Sequence, residues 1–231
     1  CSAMTPMVAR PGDPGNGVPL ESLAERPRLD IAYGGSCTAG KREDFDHYHA
    51  VLAWAAERGL RVAEGVRLYL QFGTVAVRDY CVARGYLAAF EAVGAEMLQP
   101  ACGACANCGP GSSTSPEQVT VSAINRNFPG RSGPGQVWLA SPPTVAASAI
   151  AGELVSFVRL AHAKLAPGGR FVAETVNPTS LATFAGAFYL DLTHVRPVHP
   201  EALRFLLEGT GFREVGLEFT SPFPPDMKLQ M

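Results

Sequence analysis

Three of the chain's six cysteines stand in one run, Cys102-Gly-Ala-Cys105-Ala-Asn-Cys108. Thiolates are soft ligands that select zinc or iron–sulfur clusters. A structural zinc site closes with two separated cysteine pairs, yet the only upstream partner is the single Cys37, in Gly34-Gly-Ser-Cys37-Thr38. One distant cysteine with a tight cluster suits an iron–sulfur centre at least as well as zinc, and both chemistries stay open on spacing alone. Cys81 reads differently: it lies among Val75, Val77, Tyr80, Leu87 and Phe90, where core packing accounts for it. Cys1 is terminal and carries no argument. The first residues show no basic stretch followed by an apolar one, so a cytoplasmic, reducing setting without disulfides is expected.

The elements that must position these thiols follow from hydrophobic patterning. Short apolar runs at Leu29–Tyr33, Val66–Phe72, Met97-Leu98, Val119–Ile124 and Val137–Ala140 predict strands. Arg42 to Glu57 predicts a helix burying Phe45, Tyr48, Val51, Leu52 and Ala55, with Glu43 and Asp44 at the favourable end of its dipole and His47 and His49 as surface or partner residues. Thr74 is the expected N-cap of a helix reaching Val93, and another helix starts near Pro143 and is expected to run on to Lys164. The Pro- and Gly-rich residues 1–28 predict loop or extended chain. Strands alternating with helices imply an α/β fold, a layered parallel or mixed sheet flanked by helices. Ligands bind beyond the carboxyl ends of such strands. Cys37, Gly73-Thr74 and Cys102 each follow a predicted strand and are thereby expected on one sheet edge.

Composition narrows the partners. With 19 Lys plus Arg against 21 Asp plus Glu, the net charge of −2 gives no footprint for nucleic acid and no polybasic membrane patch. Charges, Gly or Pro interrupt every apolar run before it could span a bilayer.

Gly35-Ser-Cys37-Thr38, then Cys102-Gly-Ala-Cys105, then Asn125-Arg126-Asn-Phe-Pro-Gly-Arg131, then Ser141-Pro-Pro and Ala149-Ile-Ala-Gly152 resemble, in order, motifs of the aconitase superfamily. That group includes aconitase, homoaconitase and the large subunit of 3-isopropylmalate dehydratase. The resemblance implies a [4Fe–4S]-binding α/β domain over residues 1–152, part of a complete member, and a hydro-lyase acting on a hydroxy di- or tricarboxylate. It implies that Cys37, Cys102 and Cys105 hold the cluster, leaving the fourth iron open as a Lewis acid. Arg126 and Arg131 match arginines near substrate, where a guanidinium clamps a carboxylate bidentately. Asn125 matches a residue beside the cluster, and Ser36 and Thr38 shape the ligand loop. The swivel domain of complete members is missing here, which implies a separate subunit carrying it and no dehydratase turnover by this chain alone.

The pattern also departs from the family. Ala39, Ala101 and Phe72-Gly-Thr74 replace residues common there, and Cys108 is an extra thiol that could compete for iron or zinc, the basis of an alternative non-catalytic zinc-binding domain. Beyond Gly152, Leu165-Ala-Pro-Gly-Gly169 feeding an apolar strand to Val176, a helix from Pro200 to Gly209 or Gly211, and a strand over Val215–Phe219 resemble the C-terminal half of a class I S-adenosylmethionine-dependent methyltransferase, over residues 153–231. S-adenosylmethionine is not an expected cofactor, because the glycine-rich loop that approaches it is absent. Asp191, His194 and Arg196 would be remnants of an acceptor pocket or solvated loop residues. The junction reads as a genuine fusion or as two joined gene pieces, and the start at Cys1 rather than Met favours a piece.

Overall fold

The computed structural model describes residues 6–173 and 199–218, in two compact units; the first runs from Thr5 to Gly169 and the second takes in Arg170 onward. The first unit is built on a seven-stranded sheet: β1 (Met7–Ala9), β2 (Gly17–Pro19), β3 (Ile31–Gly35), β4 (Arg67–Gln71), β5 (Glu96–Leu98), β6 (Val119–Ser122) and β7 (Gln136–Ala140), in spatial order β2-β1-β7-β6-β3-β4-β5. The last five in that order run parallel, and the β1–β2 hairpin adds antiparallel to β7. From β3 the chain steps outward to β4 and β5, then returns to β6 and β7 on the other side. The order therefore reverses between β3 and β6, the crevice where open α/β sheets bind ligands.

Strand residues alternate between two clusters. Ala32, Leu68, Leu70 and Val121 face the larger one, with Val8 from the hairpin. Against it pack α2 (Arg42–Ala56), α3 (Val75–Ala83), α4 (Tyr86–Val93), α5 (Pro142–Ala151) and α6 (Phe157–Lys164). The buried face of α2 is Phe45, Tyr48, Val51, Leu52 and Ala55, the stripe its 3.6-residue period predicts. Asp44 accepts from the Lys41 N–H at its start. Ile31, Tyr33, Tyr69 and Val137 face the other way, onto a smaller cluster completed by Ala104, Ile124 and Cys105. That face is covered by irregular chain bearing the cysteines.

The structure corrects several sequence expectations. Residues 7–19, expected as loop or extended chain, pair as a hairpin, and Pro11–Asn16 is its turn region. The helix expected from Thr74 to Val93 is two: Thr74 caps α3 by accepting from the Val77 N–H, but Gly85 adopts a left-handed conformation and separates α3 from α4. The helix starting at Pro142 likewise ends at Gly152 in the left-handed conformation, and Ser156 caps a new helix, α6. Leu160 of α6 is buried in the main cluster, Ala161 is buried as well, and Arg159 pairs with Glu21, so the first unit continues past residue 152.

In the second unit, α7 (Pro200–Gly209) begins at Pro200, with His199 Nδ1 accepting from the Glu201 N–H. The Pro167-Gly168 turn forms at the end of the first unit, with the Gly169 N–H donating to Ala166 O. The expected strand at Val215–Phe219 is absent over 215–218; these residues have no neighbouring strand to complete a ladder among the described residues. Residues 171–173 are likewise not strand. Asp191, His194 and Arg196, and Cys1, lie outside the described residues. No helix among those described is long and apolar enough to cross a membrane.

Candidate functional site

Cys37 sits one residue beyond a sharp elbow at the end of β3. Gly35 (φ +96°) and Ser36 (φ +68°) both take positive φ before the short helix α1 (Ser36–Ala39). Only glycine accepts the first position: a Cβ there would run into the Gln71 carbonyl oxygen. The elbow is tied to the end of β4, where the Gly73 N–H donates to Gly40 O (3.1 Å). Tyr48, wholly buried on α2, supports it from beneath by accepting from the Gly35 N–H (3.0 Å). The expectation that strand ends bring Cys37 and Gly73-Thr74 to one edge is met by this contact.

The cysteine run follows β5, on the same edge. Its stem is held by Gln71, which is buried at the end of β4 and donates through Nε2 to Gln99 O (3.2 Å) and Ala101 O (3.0 Å). The Tyr33 hydroxyl donates to Gln71 Oε1. Gly103 then passes so close that a Cβ would lie 2.6 Å from the Tyr33 hydroxyl and 2.7 Å from Gln71 Oε1, and Gly111 presses on the Tyr33 ring. Burial pushes the Tyr33 phenol well above its ordinary pKa; Cys105, Cys37 and Cys108 add to the rise, and a hydrogen bond from the Ala104 backbone opposes it. Cys105 is half-buried against the small cluster, while Cys37, Cys102 and Cys108 are exposed. Cys102 directly follows Ala101, whose carbonyl accepts from Gln71.

Asn125, Arg126 and Arg131 lie on the loop after β6, across the reversal crevice from Cys37. The loop leaves beside the β3 end, where the Ser122 hydroxyl and the Ala123 N–H both donate to Tyr33 O. Asn125 and Arg126 are exposed. Arg131 is half-buried, stacked over Phe128 (5.7 Å), with a buried Nε that has no hydrogen-bond partner. Asn127, 2% exposed, pins the loop by donating to Arg10 O (2.8 Å) and Val137 O (3.0 Å). Ser113 laces this loop to the tail of the cysteine run: its hydroxyl and N–H donate to Ser132 O, and it accepts from the Gly135 N–H.

Among the described residues, no three Cys, His, Asp or Glu side chains converge closely enough to hold a metal ion as they stand. The donor set nonetheless fits a [4Fe–4S] cluster in type, being thiols alone on turns at one sheet edge. Cys81 is apart from all this: fully buried, with burial and then Asp46 pushing its thiol up to about 12. His49 is not a plain surface residue either, but stacks on Tyr86 (3.8 Å between ring centroids), whose hydroxyl donates to Asp46 along with that of Tyr80.

Sequence reasoning missed Tyr33, Gln71 and Asn127. Tyr33 and Gln71 hide inside apolar strands, and the signal that marks them is a polar atom one or two residues before the glycine where a strand ends. Asn127 gives no local signal, since one of its partners is 117 residues away.

The aconitase family (aconitate hydratase) profile matches residues 20–152. The 3-isopropylmalate dehydratase large subunit of Mycolicibacterium smegmatis is 39% identical over 158 residues, covering 66% of this chain and 35% of that protein. The protein of the same name from Pyrococcus horikoshii is 36% identical over 157 residues, 67% of this chain and 39% of its own length. A third, from Caldanaerobacter subterraneus, is 36% identical over 153 residues, covering 65% and 35%. The chain thus spans less than two fifths of the length of these relatives.

Proposed function

The chain belongs to the aconitase family, and on that premise we propose that it is the cluster-bearing α/β part of a [4Fe–4S]-dependent hydro-lyase for a hydroxy di- or tricarboxylate. The observation that carries this reading is the shared edge: Cys37, the Cys102–Cys105 turn and the Asn125–Arg131 loop all extend from the carboxyl ends of β3, β5 and β6. Cys37, Cys102 and Cys105 would hold the cluster. When bound, the cluster supplies a Lewis acid that makes a hydroxyl a better leaving group.

This chain's own residues do the rest of the positioning. Arg126, exposed, and Arg131, with an unpaired buried Nε, offer guanidinium donors to substrate carboxylates. Asn127 holds their loop, and the Phe128 ring backs Arg131. Asn125 offers amide hydrogen bonds at the cluster side. The relatives are named as large subunits, which supports a separate small subunit supplying the remaining groups and a chain without turnover by itself. The methyltransferase resemblance of residues 153–231 gains no support: the described parts of its two expected strands do not form, and the first unit extends to Gly169.

Anaerobic reconstitution with iron and sulfide tests the main reading. The chain is expected to turn brown and retain iron and sulfide, Cys37→Ser to lose both, and Cys81→Ser to keep them. Iron content indifferent to Cys37→Ser would refute it. A second reading takes the three thiols of one run, Cys102, Cys105 and Cys108, as a non-catalytic zinc site, which predicts zinc without sulfide in aerobically purified protein.

A further inference from the structure

The end of the parallel sheet carries a fully engaged polar pair where its pattern calls for apolar side chains. Tyr33 is 1% exposed on β3 and Gln71 2% exposed on the neighbouring β4. Burying an amide and a phenol is unfavourable unless every polar atom is matched. Here each is: Tyr33 donates to Gln71 Oε1, and both Gln71 N–H groups donate to backbone carbonyls of the chain that enters the cysteine run, at Gln99 and Ala101. The two carbonyls fix which way the amide faces, and so fix its oxygen toward Tyr33. On the other side, Gly103 closes directly onto both side chains and Gly111 onto the Tyr33 ring, contacts no larger residue could make without displacing the loop. Ala104 and Cys105 pack on the same small cluster as Tyr33.

We propose that Tyr33 and Gln71 are a positioning dyad that sets the Cys102–Cys105 turn over the carboxyl edge of the sheet. Gln71 fixes the stem before Cys102, and Tyr33 fixes the floor beneath Gly103 and Cys105. The turn lacks regular secondary structure apart from the single helical turn Ala104–Ala106. Its thiols therefore owe their placement to these side-chain bonds and not to a ladder or a long helix. The dyad neither binds substrate nor ligates metal; it acts through the loop. The inference rests on reading that loop as the thiolate-bearing segment.

Thiol alkylation of the full chain, without iron, separates positioning from general stability. Cys105 reports the loop, and the fully buried Cys81 reports opening of the helical core. Tyr33→Phe keeps the ring and removes the donor; Gln71→Met keeps the length and removes the amide. Each is expected to raise the iodoacetamide rate at Cys105 about fivefold, the scale of one lost hydrogen bond, with the Cys81 rate unchanged. Gly103→Ala, which lifts the loop while leaving both side chains intact, should raise the same Cys105-to-Cys81 ratio and decides the matter if Gln71→Met does not fold. An unchanged Cys105 rate in Tyr33→Phe and Gly103→Ala, or parallel rises at Cys105 and Cys81, overturns the proposal. On reconstitution the same variants should show weaker visible iron–sulfur absorbance per chain than the unaltered protein. If the unaltered chain takes up no iron and sulfide, the cluster reading fails while the alkylation ratio still judges the dyad.

Discussion

The two faces of the sheet are built on different principles. One buries Ala32, Leu68, Leu70 and Val121 under helices whose apolar stripes interlock, led by Phe45 stacked on Phe72 (5.0 Å between centroids). The other carries hydrogen-bonded polar side chains: Ser122 donates to the β3 backbone, Tyr33 to Gln71, and Gln71 to irregular chain pressed close at glycines. Apolar burial is non-directional and supplies stability. Hydrogen bonds and close backbone approach are directional, and they supply position. The helical face thus holds the fold, and the loop face aims the thiols and arginines.

The largest expected effect breaks the first face. Phe45→Ala removes a fully buried ring that touches Tyr48, Phe72 and Phe90, and should cost about 3–5 kcal/mol in denaturant unfolding. Next, Gly35→Ala places a methyl against the Gln71 carbonyl in a backbone conformation unsuited to it. It should cost about 1–3 kcal/mol and lower iron uptake more than Phe45→Ala does at equal loss of stability. If uptake merely tracks stability in both variants, the division between the faces is wrong.

Asn127→Ala sharpens the comparison within the loop face. It strips the donor from Arg10 O and Val137 O, a local loss of about 1–3 kcal/mol. Trypsin should then cut faster after Arg126 and Arg131, by mass spectrometry, with little change in the melting temperature. The smallest effect belongs to the helical face. Burial holds the His49 pKa below its ordinary value, with Asp46 and Glu57 pulling the other way. The unfolded chain then binds the proton more readily, so stability falls as pH drops through about 6.5. His49→Phe should show a smaller drop in melting temperature between about pH 7.5 and about pH 5.5.

The helical face was legible in the sequence because its causes are local. The period of α2 named all five of its buried residues, and Thr74 announced the cap of α3. Glycines defeated the reading where an apolar pattern ran on through them: Gly85 and Gly152 end helices by turning left-handed while the hydrophobic rhythm continues. The hairpin was lost because its strands are three residues each within a Pro- and Gly-rich stretch. On the loop face the motifs marked Cys37, Cys102, Cys105, Asn125, Arg126 and Arg131. What supports them was hidden, because Tyr33, Gln71 and Asn127 work through partners as far as 38, 30 and 117 residues away.

The account's central claim is that Cys37, Cys102 and Cys105, and not the extra thiol, form the ligand set at this edge. Anaerobic reconstitution of Cys102→Ser beside Cys108→Ser tests it most directly, with iron and sulfide counted per chain. The account predicts that Cys102→Ser loses the chromophore and both elements, while Cys108→Ser retains them. Retention by Cys102→Ser with loss by Cys108→Ser would contradict it.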